Sequence, residues 1–318
     1  MKVITSWPDR IDIDALRSAL GLYEVKTILD ESVDICLSHT FAPSITPSVQ
    51  KLIVQWERKN PISRWLPDKS AKLILVDVSD TRYLEHKAHY NLDSIVEIYD
   101  HHFESREFRQ EKIGNNAHIV SIGSCTTLIA QLAIDHHILD QLSDEIIVGL
   151  SLTTVSHTLN FQSSVTTEHD RWVYKILYHE MKKRWLWYDT LVSDYFIELE
   201  QHIVSNITEA FNNDTKYTMK IGNIFCSITQ CEVRDGHTFI NKQKDDIEKR
   251  LQWLSENNHA FLTIISISEW KNYIFSTDPL IQIQLAEVTG WIRKNNILIT
   301  NKLWMRKELV RELIKHNQ

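Results

Sequence analysis

The sequence predicts an α/β protein, with a parallel sheet and helices on both of its faces in the N-terminal part and a smaller α/β region after it. Three observations support this fold class. Short apolar runs such as 72–76 and 95–99 alternate with segments of helical periodicity, which is typical of βαβ units around a parallel sheet. The chain has 318 residues, enough for two domains of ordinary size. A second alternating block begins near Thr218, after the polar run Asn212-Asn213-Asp214.

The elements of the first block follow from this alternation. Strands are predicted over 2–6, 72–78, 95–99 and 117–123, with an extended region over 25–37. Helices are predicted over 14–23, 48–58, 124–138, 143–158 and 166–182, and in a long segment that ends near 211. Ser124 stands where a helix cap is expected, and Ser143-Asp144-Glu145 and Thr166-Thr167-Glu168 are typical helix starts with a cap and an acidic first turn.

The second block contains fewer apolar runs. Strands are predicted over 224–233, 261–267 and 273–276, an amphipathic helix over 240–258 and a closing helix over 303–315. We therefore predict a metal-binding domain over 1–190, a helical linker over 191–213 and a C-terminal domain over 214–318.

Composition excludes several classes of function. The net charge of −7 and the pI near 6.1 argue against a general nucleic-acid or membrane-surface binder. No apolar stretch approaches the roughly 20 residues that a membrane helix needs. The N-terminus turns polar after a few apolar residues, too early for a signal-peptide core. The four cysteines form no CxxC pair, so we expect a cytoplasmic protein with reduced thiols.

Glycine is scarce, and this limits the kinds of phosphate site. The chain has seven glycines, and none of them is adjacent to another. Neither GxGxxG nor GxxxxGK[ST] occurs, which excludes a glycine-rich phosphate loop.

Acidic residues and histidines cluster where three apolar runs end. Asp12 and Asp14 follow the first run, Asp77 ends the second, and His101 and His102 follow the third. The carboxyl ends of parallel strands share one edge of a sheet, where ligands bind. Asp and His at such an edge suit divalent metals. We expect the paired aspartates to ligate different ions, Asp77 to bridge them, and His101 to add a nitrogen ligand. Two metals about 4 Å apart activate a bridging water for phosphoryl transfer.

Each of these residues also has a purely structural interpretation. Asp12 or Asp77 could be a helix cap, and a His-His pair on a loop is usually solvated. The chain contains an internal control, because Asp135-His136-His137 repeats the same tripeptide after a helical pattern. We expect this second triplet at a helix end, with no role in a metal site.

Five motifs occur in order along the chain, the fifth being a set of three short C-terminal segments. The first four are Asp12-Ile13-Asp14-Ala15; Val76-Asp77-Val78-Ser79-Asp80; Asp100-His101-His102; and Val155-Ser156-His157-Thr158-Leu159-Asn160-Phe161 with Thr166-Thr167-Glu168-His169-Asp170. The C-terminal part adds Asp214-Thr215-Lys216, Gln230-Cys231-Glu232 and Trp304-Met305-Arg306-Lys307-Glu308. This series resembles the DHH phosphoesterase superfamily. Its last part is similar to manganese-dependent (family II) inorganic pyrophosphatases and prune-type exopolyphosphatases.

The resemblance implies a role for particular residues. It implies a two-manganese centre, with magnesium or cobalt as alternative metals. The metal ligands would be Asp12, Asp14, Asp77, His101 and, at the second metal, His157. His102 would contact the phosphate, which makes Asp77 and His102 the predicted catalytic groups. Three cations of the second domain, Lys216, Arg306 and Lys307, would clamp the substrate. The resemblance also implies an active site in the cleft between the domains and a homodimer formed through the N-terminal sheet.

The chain departs from the family at three places. The family's histidine four residues before the first motif-one aspartate is here Pro8, so that His39 is a candidate replacement. His157 stands where motif four usually has aspartate, and this removes one negative charge. The family's Ser-Arg-Lys-Lys run appears as Met305-Arg306-Lys307-Glu308, with one hydroxyl and one cation fewer. All three changes affect either the ligands around the metals or the groups that would neutralise the charge of the substrate.

The favoured function is a metal-dependent hydrolase of phosphoanhydride bonds, acting on a small phosphorylated substrate such as pyrophosphate, polyphosphate or a nucleotide. One alternative is a catalytically degenerate member that binds a phosphorylated ligand or a protein without turnover. A nucleotide or oligonucleotide phosphodiesterase is the other. The absence of a Gly-Gly pair argues against the oligonucleotide exonucleases of the superfamily.

Overall fold

The computed structural model describes residues 1–7, 10–38, 40–42, 44–60, 62, 70–79, 91–102, 111–186, 189–221, 224–256, 258–290, 292–294 and 297–316. The chain divides into two compact units. Unit 1 comprises Met1–Phe161 and Val165–Tyr195, and unit 2 comprises Gln162–Ser164 and Phe196–Gln318. The domain limits predicted from the sequence stay a prediction.

Unit 1 is built on a parallel sheet. Its strands are β1 (Lys2–Thr5), β2 (Val33–Ile35), β3 (Lys72–Val76), β4 (Ile95–Asp100) and β5 (Ala117–Ile119), in the order β2-β1-β3-β4-β5. Each described pairing is parallel. The carboxyl ends of β1, β3 and β4 therefore lie side by side. The predicted α/β class with a parallel N-terminal sheet is confirmed.

Helices surround this sheet. They are α1 (Ile13–Ile28), α2 (Pro47–Glu57), α3 (Cys125–Asp135), α4 (Asp144–His157) and α5 (Glu168–Lys183), and α6 (Asp189–Ser205) begins in the same unit. Asp12 caps α1 and Ser124 caps α3, each through a side-chain oxygen that accepts a backbone N–H. Helix α1 continues to Ile28, where an extended chain was predicted from residue 25. Val25 is fully buried, and its packing outweighs the weak helix propensity of a β-branched residue.

The amino end of the sheet carries a balanced ion network. Lys2 Nζ lies 2.8 Å from Glu97 Oε1 and 3.1 Å from Glu31 Oε2. Lys26 Nζ lies 2.8 Å from Glu97 Oε2 and 2.9 Å from Glu31 Oε1. Two cations and two anions thus neutralise each other at this end, which permits burial of Lys26 and Glu97.

A buried guanidinium in unit 1 lacks such compensation. Arg17 on α1 is 1% exposed, and its Nη2 donates to the Val49 carbonyl at 3.2 Å. Nε and Nη1 have no hydrogen-bond partner in the described part of the chain. Burial lowers the pKa of Arg17 to about 10, partly opposed by the charge of Glu145. Gly149 leaves room for this side chain, since a Cβ there would lie 2.9 Å from Arg17 Cδ.

Unit 2 contains a mixed sheet. Its strands are β6 (Thr215–Ile221), β7 (Ile224–Val233), β8 (His259–Ser266), β9 (Lys271–Phe275), β10 (Ile292–Lys294) and β11 (Ile297–Ile299), in the order β10-β11-β9-β8-β7-β6. The β7–β8 pair is parallel and the other described pairs are antiparallel. The helices are α7 (Ile207–Asn213), α8 (Gly236–Lys242), α9 (Lys244–Ser255), α10 (Pro279–Thr289) and α11 (Arg306–His316).

One apolar core holds strands and helices of unit 2 together. Buried residues of β7, β8 and β9, such as Ile228, Phe261 and Ile274, pack with Leu285 of α10 and Leu309 of α11.

No helix in the described ranges has both the length and the apolar character required to span a bilayer.

Glu269 organises the turn between β8 and β9. Its carboxylate accepts hydrogen bonds from Ser266 Oγ at 2.6 Å, Tyr273 Oη at 2.7 Å and the His237 backbone N–H at 3.0 Å. Lys271 Nζ lies 3.2 Å away. Burial disfavours the charged form, but these donors prevail and lower the pKa of Glu269 to about 2.

Candidate metal centre

The carboxyl edge of the unit 1 sheet brings the predicted aspartates and histidines together. Asp77 directly follows β3, and His101 and His102 directly follow β4. Two groups of side chains could each hold a metal ion, with their donor atoms within 4.8 Å of one another. The first site is Asp14, His101 and His157, and the second site is Asp77, His101 and His102. His101 belongs to both.

Asp14 is held by the start of helix α3. It is fully buried, and its Oδ1 accepts from Ser124 Oγ at 2.9 Å and from the Thr126 N–H at 3.0 Å. Its Oδ2 accepts from the Cys125 N–H at 2.9 Å. Burial disfavours the charged form, but the nearby imidazoles of His157 and His101 and these donors keep the pKa of Asp14 below its usual value. A carboxylate at a helix N-terminus is stabilised in its anionic, metal-binding form.

The ring of His101 is fixed by a backbone carbonyl. Its Nδ1 lies 3.0 Å from the Ile122 oxygen, which can only accept, so Nδ1 carries the proton. Nε2 then faces Asp77 Oδ1 at 3.4 Å and Asp14 Oδ2 at 3.7 Å. This is the tautomer that a metal-ligating histidine adopts when a second group orients the ring.

Asp77 carries the most unusual carboxylate of the site. Its backbone lies in the left-handed region at φ 58°, and its N–H donates to the Tyr99 carbonyl at 2.8 Å. The residue is 2% exposed, yet its Oδ1 has no hydrogen-bond partner among the residues that the structure describes. Burial, followed by the charges of Asp14 and Asp12, raises the pKa of Asp77 well above its usual value. A bound divalent cation would remove this unfavourable state, so the residues present fit a metal.

Asp100 orients His102. Its Oδ1 accepts from His102 Nδ1 at 2.8 Å and from the backbone N–H groups of His101 at 2.7 Å and of His102 at 3.2 Å. Nε2 of His102 is thereby left for a ligand, and the side chain is 39% exposed. Trp7 lies beside it, with ring centroids 6.4 Å apart in an edge-to-face contact.

No separate role was predicted for Asp100. Its position at the end of a buried strand was the available signal. The hydrogen bonds to both histidines show that it acts as their support.

Asp12 lies outside both three-residue groups found among the described residues. Its Oδ1 accepts from the Ala15 N–H at 2.9 Å, which makes it the cap considered as an alternative. Its charge still contributes to the raised pKa of Asp77, so it lies near the centre. The predicted ligand role of Asp12 stays a prediction.

The second Asp-His-His triplet, Asp135-His136-His137, lies at a helix end, as expected. Asp135 is the last residue of α3, His136 is its C-cap, and all three residues are exposed. Pro8, His39 and Asp80, which the sequence analysis also discussed, lie outside the described residues.

The predicted substrate cations lie in unit 2. Arg306 Nη1 donates to Asp214 Oδ1 at 2.6 Å and to the Asp214 carbonyl, and its N–H donates to Gln230 Oε1 at 2.7 Å. Loss of solvent, followed by the charge of Arg306, lowers the pKa of Lys216. Lys307 is exposed. Their role as a substrate clamp stays a prediction.

Comparison with known proteins gives family and fold. Residues 3–152 match the DHH family, N-terminal domain. A putative family II inorganic pyrophosphatase of Methanococcus jannaschii is similar in structure, with a TM-score of 0.65 and 18% identity over 99% of both chains. An exopolyphosphatase-related protein from Bacteroides fragilis gives a TM-score of 0.45 and 14% identity over 99% of this chain and 92% of its own. No curated protein matches the chain. The predicted family is confirmed for residues 3–152, and the predicted fold is confirmed for the whole chain.

Proposed function

Residues 3–152 form a DHH-family N-terminal domain, and on that basis we propose that the protein is a metal-dependent hydrolase of phosphoanhydride bonds, with pyrophosphate or a short polyphosphate as substrate. One observation carries the proposal. Asp77 Oδ1 is buried without a hydrogen-bond partner in the described residues and faces His101 Nε2 at 3.4 Å. A buried carboxylate oxygen without a hydrogen-bond partner is energetically unfavourable, and a bound cation would remove this cost.

The proposed cofactor is manganese, with two ions. Asp14, His101 and His157 would hold one ion, and Asp77 with His101 would supply donors for the other, beside His102, to which we assign the phosphate. Asp12 is proposed as a further ligand through the oxygen that does not cap α1. When bound, such ions lower the pKa of a water molecule and neutralise the charge of phosphate oxygens.

The chain's own groups would complete the chemistry. Asp100 holds His102 Nδ1, which aims Nε2 outward as a donor to a phosphate oxygen. Asp77 is buried, and a bound cation would offset the burial that disfavours its charged form, so that its carboxylate could ligate the ion that activates water. Lys216, Arg306 and Lys307 are proposed to neutralise the remaining substrate charge. An Arg fork binds phosphate oxygens bidentately, whereas Lys acts as a point charge.

The test combines metal content with phosphate release. Purified protein is assayed with pyrophosphate, tripolyphosphate and a nucleotide in the presence of manganese, magnesium or cobalt. Asp77→Asn is the informative variant, because asparagine tolerates the left-handed backbone while the charge is lost. We expect at least a 100-fold loss of activity in this variant with the fold retained. His136→Ala is the matched control and should leave activity unchanged.

A binding function without turnover is the second candidate, and one observation favours it. Both oxygens of Asp14 already accept hydrogen bonds from the start of α3 and from Ser18 Oγ at 3.3 Å, which reduces their capacity as ligands. Tight manganese binding with no phosphate release from any compound of the panel would establish this alternative.

A further inference from the structure

A second buried carboxylate, Asp170 on α5, supports the metal centre from behind. It is 0% exposed, and no cationic side chain pairs with it in the described ranges of the chain. Neutral donors surround it instead. The Gly123 N–H lies 3.1 Å from its Oδ1 and 2.9 Å from its Oδ2. Thr127 Oγ1 donates to Oδ1 at 2.7 Å, and the N–H and Oγ1 of Thr167 each donate to Oδ2 at 2.7 Å.

These hydrogen bonds join two parts of unit 1 that are distant in sequence. Thr167 is the N-cap of α5 and forms a capping box with Asp170. Gly123 and Thr127 belong to the start of α3, more than 40 residues earlier. The contact is too close for any side chain at Gly123, because a Cβ there would lie 3.0 Å from Asp170 Oδ2. One carboxylate therefore fixes the start of α3 against the start of α5.

The segment that Asp170 holds, residues 122–127, also positions members of the first site. The carbonyl of Ile122, next to Gly123, orients His101 at 3.0 Å. Ser124, Cys125 and Thr126 donate to Asp14. On its other side the segment meets Thr158, the residue after His157, since a Cβ at Gly123 would lie 2.7 Å from Thr158 Cγ2. Asp14 and His101 are thus held by residues of segment 122–127, which Asp170 fixes through Gly123 and Thr127, and His157 precedes a residue that packs against the same segment.

The second site has a different support. Asp100 orients His102 through Nδ1, and Asp77 is placed by β3 and by its hydrogen bond to the Tyr99 carbonyl. Neither of these contacts involves Asp170. The two supports are connected through the shared residue His101 and through the Cys125 thiol, which donates to the Tyr99 carbonyl at 3.4 Å.

We propose that Asp170 is a positioning residue that sets the metal affinity of the site formed by Asp14, His101 and His157 and has little effect on the affinity of the site that contains Asp77 and His102. This inference rests on the proposed function, because it needs a protein that binds metal. Residues behind a metal site change affinity by 10–100-fold when they are replaced, in order of magnitude. The two sites should therefore respond differently to one substitution.

The experiment is a calorimetric titration of metal-free, full-length protein with Mn²⁺. The variant is Asp170→Asn, which keeps the shape of the side chain. The matched control is Asp135→Asn on the exposed end of α3, where the carboxylate contacts Gln131. Wild type should show two classes of site. We expect Asp170→Asn to weaken one class by roughly 10–100-fold and the other by less than about 3-fold, and Asp135→Asn to change neither.

Equal weakening of both classes, or no change in either, would overturn the inference. If Asp170→Asn does not fold, Thr127→Val carries the test, because it removes only one of the donors to Asp170. A merely structural role lowers the melting temperature equally with and without Mn²⁺, whereas a positioning role reduces the increment that Mn²⁺ adds. A wild type that binds no Mn²⁺ would refute the proposed function itself; binding that Asp170→Asn leaves intact refutes the inference alone.

Discussion

Asp77 Oδ1 and His101 Nε2 face each other at 3.4 Å inside unit 1, and Asp77 lacks a hydrogen-bond donor for this oxygen within the described chain. With Nδ1 of His101 bonded to the Ile122 carbonyl, Nε2 is the ring nitrogen that remains to ligate a metal. A cation bound between these two atoms would supply the partner that the buried carboxylate oxygen lacks. The relationship links metal binding to stability as well as to catalysis.

Metal should therefore stabilise the fold. Adding Mn²⁺ at 100 times its dissociation constant should raise the free energy of unfolding by about 2.7 kcal/mol for each site occupied, since only the folded chain forms the sites. Thermal melting with Mn²⁺ and with a chelator measures this. Asp77→Asn should lose much of the increment and be at least as stable as metal-free wild type, because a buried repelled charge is gone. A metal-free variant clearly less stable than wild type would contradict this account.

Replacing Asp100 should affect rate more than metal binding. Asp100→Asn weakens the hold on His102 Nδ1 and leaves every member of the two donor groups in place. We expect a 10–100-fold lower kcat, in order of magnitude, with Mn²⁺ affinity within about 3-fold of wild type. Steady-state kinetics and a Mn²⁺ titration together check the expectation. If affinity falls as far as the rate, Asp100 acts as a ligand and not as a support.

Arg17 provides a stability prediction away from the site. Arg17→Met removes a buried charge with two unpartnered nitrogens in the described structure and loses one hydrogen bond to Val49. The free energy of unfolding should rise by about 1 kcal/mol, because unsatisfied buried donors cost more than one neutral hydrogen bond contributes. Denaturant unfolding measures the difference. Arg17→Lys keeps the charge and should give no gain; equal gains from both variants would rule out the explanation.

Glu269 predicts how unit 2 responds to acid. Its pKa is lowered in the folded state from 4.5 to about 2, so its stabilisation is complete above pH 4.5 and is lost as the pH falls toward 2. The contribution has an upper limit of roughly 3 kcal/mol. Glu269→Gln should be less stable than wild type at pH 6, with the difference shrinking between pH 4.5 and 2. Unfolding curves at several pH values test this, and a pH-independent difference would exclude the linkage.

The strand ends of the site could be predicted from sequence because their signals are local. Apolar runs that stop at Asp77 and at His101 identify the carboxyl edge of a parallel sheet, and the helical pattern before Asp135 places the second Asp-His-His triplet at a helix end. The periodicity of the apolar residues and the position of each residue relative to a predicted strand or helix were sufficient to predict where these residues lie.

Other features depend on contacts that no local pattern contains. The bonds from Asp170 to Gly123 span 47 residues, and the support of His101 by Ile122 spans 21. The short strands β10 and β11 have three residues each, too few for a period to be recognised. Helix α10 was also missed, although Asp278 and Pro279 form a normal helix start. The choice between cap and ligand for Asp12 required coordinates as well.

The burial of Cys125 has a practical consequence. Its thiol donates to the Tyr99 carbonyl at 3.4 Å, and burial together with the charges of Asp77 and Asp14 raises its pKa well above the usual value. Such a sulfur reacts with alkylating reagents only when the start of α3 opens. The labelling rate of this cysteine therefore reports on the integrity of the site in the absence of any substrate. It offers an intrinsic probe of opening that requires no engineered chemistry.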